Sequence, residues 1–207
     1  MYKKKFFIVF EGIEGSGKSS HSLSLIKKLK SLKIPCIYLR EPGGSKNAEN
    51  IRSFLLKNEN KGFNSLTDTL LYLAARNENF LKKIKPFYKK KIIICDRFTD
   101  STLAYQHYGQ GVKKRFINYI NKEIMGTIKP DYTFLMFLNV NKSKSRISNR
   151  KRNNRYDKFK KSFYRKVQNG FLKIYNKNKS KYMIIDSSRK FETNQTIIFN
   201  QIKKLIR

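Results

Sequence analysis

Acidic residues, cysteines and long apolar runs are all scarce in this chain. Its 207 residues hold 14 Asp and Glu against 47 Lys and Arg, a formal net charge of +33. A balance this basic favours polyanionic partners, nucleic acid first. The Lys and Asn residues are nevertheless spread over loops and termini without pattern, which reads as a solvated surface more than as a dedicated nucleic-acid site. No RNP-type aromatic strand or helix-turn-helix accompanies them, and a nucleotide substrate would also suit a positive field. Cys36 and Cys95 stand far apart, with no CxxC and no metal-ligand spacing. That excludes a disulfide framework and suits a reducing cytoplasm. Lys3–Lys5 followed by Phe6–Phe10 opens like a signal peptide, but the apolar stretch stops at Glu11. It is too short for a signal-peptide core or a membrane span, so a soluble, cytoplasmic protein is expected. Repeats and Pro- or Ser-rich linkers are missing too, and the length suits one domain over residues 1–207.

What is present is an alternation of short apolar runs and longer amphipathic ones. Phe6–Phe10, Cys36–Leu39, Ile92–Cys95, Tyr132–Leu138 and Tyr182–Ile185 read as strands. Each is almost continuously apolar, as in parallel strands buried on both faces. Helices are expected over Lys18–Leu32, Leu66–Ile84 and Lys113–Ile128, then from about Asp157 to Lys177 and from about Thr193 to Ile206. This pattern predicts an α/β fold, a three-layer α/β/α arrangement around a five-stranded parallel sheet. The basic, Asn-rich stretch Ser148–Arg155 reads as a loop between two helices.

Gly12, Ile13, Glu14, Gly15, Ser16, Gly17, Lys18 and Ser19 match GxxxxGK[ST] at every fixed position, directly after a strand and directly before a helix. Glycines let the backbone curl until its N–H groups point at phosphate oxygens, and the helix N-terminus adds partial positive charge. Lys18 would reach the β- and γ-phosphates, and the Ser19 hydroxyl would ligate Mg²⁺. The motif, extended to Ser20, is therefore the expected ATP site of a P-loop NTPase. Such an enzyme needs an acid at the tip of a neighbouring strand. Ile92–Cys95 is followed by Asp96, whereas the comparable run Phe134–Leu138 is followed by Asn139. Asp96 is thus the second candidate metal ligand, and Arg97 beside it can grip a phosphate in bidentate fashion.

The segments FEGIEGSGKSS (Phe10–Ser20), REPGGS (Arg40–Ser45), LLYLAAR (Leu70–Arg76), DRFTDSTLAYQ (Asp96–Gln106) and PDYTFLMFLNV (Pro130–Val140) occur in the order found in thymidylate kinases. The chain resembles that family over nearly its whole length. The resemblance implies a nucleoside monophosphate kinase-like fold and transfer of the ATP γ-phosphate to dTMP. Glu14 would meet the deoxyribose 3′-hydroxyl, and Arg97 would hold the acceptor phosphate with help from Arg52. Tyr72 would stack on thymine, Arg76 would donate to a base carbonyl, and Thr102 would read the pyrimidine edge. Tyr105 would lie under the sugar, with Ser101 and Gln106 completing that helix face.

The resemblance extends to a lid loop at about 146–157, where Arg150 and Arg155 would close over ATP. Here the chain departs from the family: Asn154 precedes Arg155 in place of an acid, and Asn139 replaces an acid after the fourth strand. A homodimer is also implied, with no membrane or specific nucleic-acid partner. Two other readings stay open on the residues themselves. One is a kinase for another small acceptor; the other is a nucleic-acid-stimulated P-loop NTPase.

Overall fold

The computed structural model describes residues 5–57, 63–149 and 155–206. Five strands, β1 (Phe7–Glu11), β2 (Cys36–Arg40), β3 (Ile92–Asp96), β4 (Tyr132–Phe137) and β5 (Tyr182–Asp186), form one sheet in the order β2-β3-β1-β4-β5. Every neighbouring pair is parallel. All residues of the central strands β1 and β3 are buried, whereas the edge strands β2 and β5 are only partly covered. Parallel strands buried on both faces have no polar side to alternate with, which is why they read as apolar runs. The observed strands differ from the expected ones by a residue at most ends. β1, β2, β3 and β5 run on through a charged residue, because ladder pairing is a backbone property. Arg40 and Phe10, for example, are both in register with Asp96.

The helices are α1 (Lys18–Ser31), α2 (Lys46–Leu56), α3 (Ser65–Asn79), α4 (Lys85–Phe87), α5 (Thr99–Thr102), α6 (Lys114–Met125), α7 (Val140–Ser148), α8 (Lys161–Lys177) and α9 (Phe191–Ile206). Alternate strand residues feed opposite layers. Ile8 and Phe10 pack with Leu25 and Leu29 of α1 and Ile198 and Ile202 of α9. Phe7 and Val9 pack instead with Phe80, Ile84 and Phe98. The helix expected over Leu66–Ile84 is α3 continued by wider, π-type turns over Phe80–Ile84. It begins where the Asn64 side chain accepts the Thr67 N–H at 2.8 Å. Helix α2 has no counterpart among the expected helices. It buries only Ala48 and Leu55, too few positions to make a periodic stripe. The expected lid loop is helical at both described ends, in α7 and in a 3₁₀ turn over Arg155–Lys158.

Short helix α5 also widens into π-type turns, over Leu103–Gly109, and this segment carries Tyr105 and Gln106. It lies against α8 at two glycines. A Cβ on Gly170 would come within 2.6 Å of the Tyr108 ring, and one on Gly109 within 2.7 Å of the Phe163 ring. The close approach sets the depth at which Tyr105 enters the interior. Gly170→Val should lower stability by roughly 1–3 kcal/mol through overpacking, read as a shifted urea midpoint with an unchanged slope.

Candidate active site

The phosphate loop joins the end of β1 to the start of α1. Gly12, Gly15 and Gly17 take φ values of +139°, +73° and +87°, left-handed conformations that side chains resist. At Gly12 a Cβ would also stand 2.4 Å from the Met136 carbonyl oxygen. Lys18 is buried, and its Nζ donates to Ile13 O at 2.7 Å. Burial first, and then the charge of Arg97, pull its ammonium down to about 7. Ser16 and the Ile13 side chain are buried beneath the loop, and Ser20 is exposed on α1. The loop is buttressed from α7. Ser143 Oγ donates to Glu14 O at 2.6 Å, and Arg146 spans from Gly15 O at 3.2 Å to Ser187 O at 3.0 Å. Ser19 Oγ donates to Asp96 Oδ2 across the β1–β3 boundary, while Asp96 Oδ1 is buried with no hydrogen-bond partner.

Arg97 follows directly, in a left-handed conformation with φ +69°. Its guanidinium donates to Glu14 Oε1 at 2.8 Å, Gly12 O at 2.9 Å, Ser101 Oγ at 3.1 Å and Tyr105 Oη at 3.3 Å. Tyr105 Oη donates in turn to the other Glu14 oxygen. Burial alone would raise the Glu14 carboxyl, but the charges of Arg97 and Lys18 bring it below its ordinary range. Behind this cluster lies Glu11, which is not among the expected site residues. Its carboxyl accepts from Phe98 N at 2.8 Å, Ser101 N at 3.1 Å and Ser101 Oγ at 2.6 Å. Burial, followed by the charge of Asp100, pushes Glu11 up to about 8. Glu11 ends an apolar strand just as Asp96 does, so the signal that selected one was available for the other.

A cavity of about 660 Å³ opens beyond the carboxyl ends of β1, β2 and β3, the usual place for a ligand in an open parallel sheet. Glu14, Gly15, Gly17, Lys18, Ser19, Ser20, Asp96 and Arg97 line one part of it. Arg52, Tyr72, Arg76, Ser101, Thr102, Tyr105 and Gln106 line another part. Arg52 donates to Pro42 O at 2.7 Å, which holds the turn after β2. Arg76 is buried and paired with Glu41 at 2.8 Å. Tyr156, not expected at the cavity, stands edge-on to Tyr72 and Tyr105 with ring centroids 6.1 and 6.2 Å away. Nothing in its local sequence marked it out. Arg150 lies outside the described residues, as does the Arg155 side chain. Among the described residues no helix is long and apolar enough to cross a membrane.

The family model described as Thymidylate kinase matches residues 10–198. The chain belongs to the thymidylate kinase family. A thymidylate kinase of Aster yellows witches'-broom phytoplasma (strain AYWB) is 39% identical over 203 residues, covering 96% of this chain and 97% of that protein. One from Ehrlichia chaffeensis (strain ATCC CRL-10679 / Arkansas) is 40% identical over 190 residues, covering 90% and 91%. The crystal structure of thymidylate kinase from Ehrlichia chaffeensis superposes with a TM-score of 0.78 at 32% identity, covering 97% of this chain and 99% of that one. The five-stranded parallel sheet with its helices is thus the fold of a P-loop nucleoside monophosphate kinase, as in other thymidylate kinases.

The Lys18 environment has a consequence for pH. From about pH 7 to the ordinary lysine range, the unfolded chain holds a proton at Lys18 that the ligand-free fold does not. This group therefore makes stability rise with pH over that window. Phosphate oxygens brought close to Nζ would draw the proton back. ATP binding at pH 8.5 should take up close to one proton, seen calorimetrically as an enthalpy that varies with the buffer's ionisation heat. Lys18→Arg, always charged, should abolish the uptake.

Proposed function

We propose that the chain transfers the γ-phosphoryl group of ATP to dTMP, giving ADP and dTDP, one phosphorylation short of dTTP. The observation that carries this reading is that one cavity joins the phosphate loop to the Arg97–Glu14–Tyr105 cluster and to Tyr72, Arg76 and Thr102. The β- and γ-phosphates lie in the loop, where Lys18 neutralises charge on the transferring oxygens. Arg97 turns from Glu14 to the acceptor phosphate and holds it in line with the γ-phosphorus. That phosphate is already anionic near neutral pH, so no strong general base is required. Released from Arg97, Glu14 accepts from the 3′-hydroxyl, and Tyr105 beneath the sugar favours deoxyribose. Tyr72 stacks on thymine. Arg52 assists at the acceptor phosphate, while Ser101 and Gln106 complete the wall beside Tyr105. Arg150 and Arg155 are the lid residues assigned to ATP.

The site suits Mg²⁺. Ser19 offers a hydroxyl and Asp96 a buried carboxylate oxygen without a partner. Among the described residues no group of three or more His, Cys, Asp or Glu side chains could cage a metal by itself. An oxygen-only pair completed by substrate phosphates matches the preferences of this ion. Ser19 and Asp96 would hold Mg²⁺, which would supply charge neutralisation at the donor phosphates.

The protein acts as a homodimer in the cytoplasm on this reading. Free Cys36 and Cys95 suit a reducing compartment. Copies carrying +33 each repel one another, so a face without cations favours their contact. Helix α3 offers one: it exposes Leu66, Leu70 and Ala74, its Arg76 is buried, and it has no lysine. Leu70→Glu should yield monomers in sedimentation velocity at micromolar concentration; an unchanged dimer would place the contact elsewhere.

ADP release with Mg·ATP, assayed across a panel of nucleoside monophosphates and separately with DNA and RNA, tests the reaction. dTMP should stimulate most and appear as dTDP. Stimulation by nucleic acid alone would overturn the proposal. Arg97→Ala should lower kcat/KM for dTMP by about 100-fold or more with a much smaller effect on ATP affinity.

A further inference from the structure

Arg76 is braced more fully than its assignment to the base requires. It is 3% exposed, and three of its five N–H bonds already have acceptors. Nε donates to Glu41 Oε2 at 2.8 Å, Nη1 to Asn121 Oδ1 at 2.8 Å and Nη2 to Thr102 Oγ1 at 2.9 Å. The Phe98 ring covers one face, 5.2 Å from the guanidinium carbon. The acceptors come from the turn after β2, from α6 and from α5, so the guanidinium plane is fixed from three directions.

Asn121 is the unexpected member. It is 6% exposed on α6, a helix that contributes no residue to the cavity wall. Glu41 already supplies a counter-charge, which leaves orientation as the work of a neutral amide oxygen. With three N–H bonds engaged, two remain for a ligand. Thr102 Oγ1, which accepts from Arg76, keeps its hydroxyl proton and one lone pair. Such an edge offers donors toward a 4-oxo group and an acceptor toward N3–H of a pyrimidine. A 4-amino pyrimidine would set N–H against N–H, the kind of mismatch that a hydrogen-bonding site rejects strongly.

We propose that Asn121 is a positioning residue that, with Glu41, fixes Arg76 so that its free N–H bonds select a 4-oxo over a 4-amino pyrimidine. The inference rests on the assignment of Arg76 to the base edge. Its test measures dTMP and ATP kinetics, with dCMP as a competitor of dTMP, in Asn121→Leu, Asn121→Asp and Arg76→Ala. Asn121→Leu should raise KM for dTMP and narrow the dTMP-over-dCMP preference, each about tenfold. KM for ATP and kcat at saturating dTMP should stay within about twofold, which a damaged fold would not allow. Asn121→Asp keeps an acceptor at the same place and should restore most of the preference. An unchanged preference in Asn121→Leu, or an equal loss for dTMP and ATP, would overturn the proposal. If Arg76→Ala collapses the preference while Asn121→Leu does not, the base-edge assignment stands and only the role of Asn121 falls. If Arg76→Ala leaves the preference intact, the assignment itself fails.

Discussion

The ion pair between Arg97 and Glu14 joins the phosphate loop to the end of β3, and the rest of the site is arranged around it. Arg97 is held in a left-handed backbone conformation, a cost of about 1–2 kcal/mol for a residue with a side chain. Both partners are largely shielded from water, with side-chain exposures of 16% and 13%. A shielded charge must be paired, and Glu14 supplies the counter-ion of Arg97. Tyr105 closes the triangle, and Glu11 secures Ser101, which also accepts from Arg97.

Tyr105 reaches this triangle only because the chain widens after α5 and because Gly109 and Gly170 let α8 come close. Packing and chemistry are therefore coupled along one segment. The wall that carries Tyr105, Gln106 and Thr102 is set by backbone approach at glycines well outside the cavity. A widened helical turn beside a functional site is a recurrent use of this geometry.

Strands and phosphate loop were legible because their physics is local. A strand buried on both faces must be apolar throughout, and a loop that wraps phosphate needs glycine where φ is positive. Helix α2 was not legible, since two buried residues make no periodic signal. Glu41, Asn121 and Tyr156 acquire their roles through tertiary proximity. Arg76 and Asn121 are 45 positions apart, and neither sequence neighbourhood hints at the other. Glu11 shows the opposite case: it follows an apolar strand just as Asp96 does, so its signal is local. The lid roles of Arg150 and Arg155, implied by the family resemblance, fall outside the described residues and side chains.

The cavity lining gives the chain's +33 charge a more particular meaning. Lys18, Arg40, Arg52, Arg76 and Arg97 on the wall face Glu14, Glu41, Glu49 and Asp96, so the interior is almost balanced within a strongly positive molecule. The two fields act at different ranges. Outside the mouth, the excess of lysine draws in anionic nucleotides over about one Debye length, roughly 8 Å at physiological salt. Inside, the near-balance of cations and acids leaves little net field. Capture is thus the step most sensitive to ionic strength, while the hold on a bound nucleotide depends on a few local pairs that salt barely reaches.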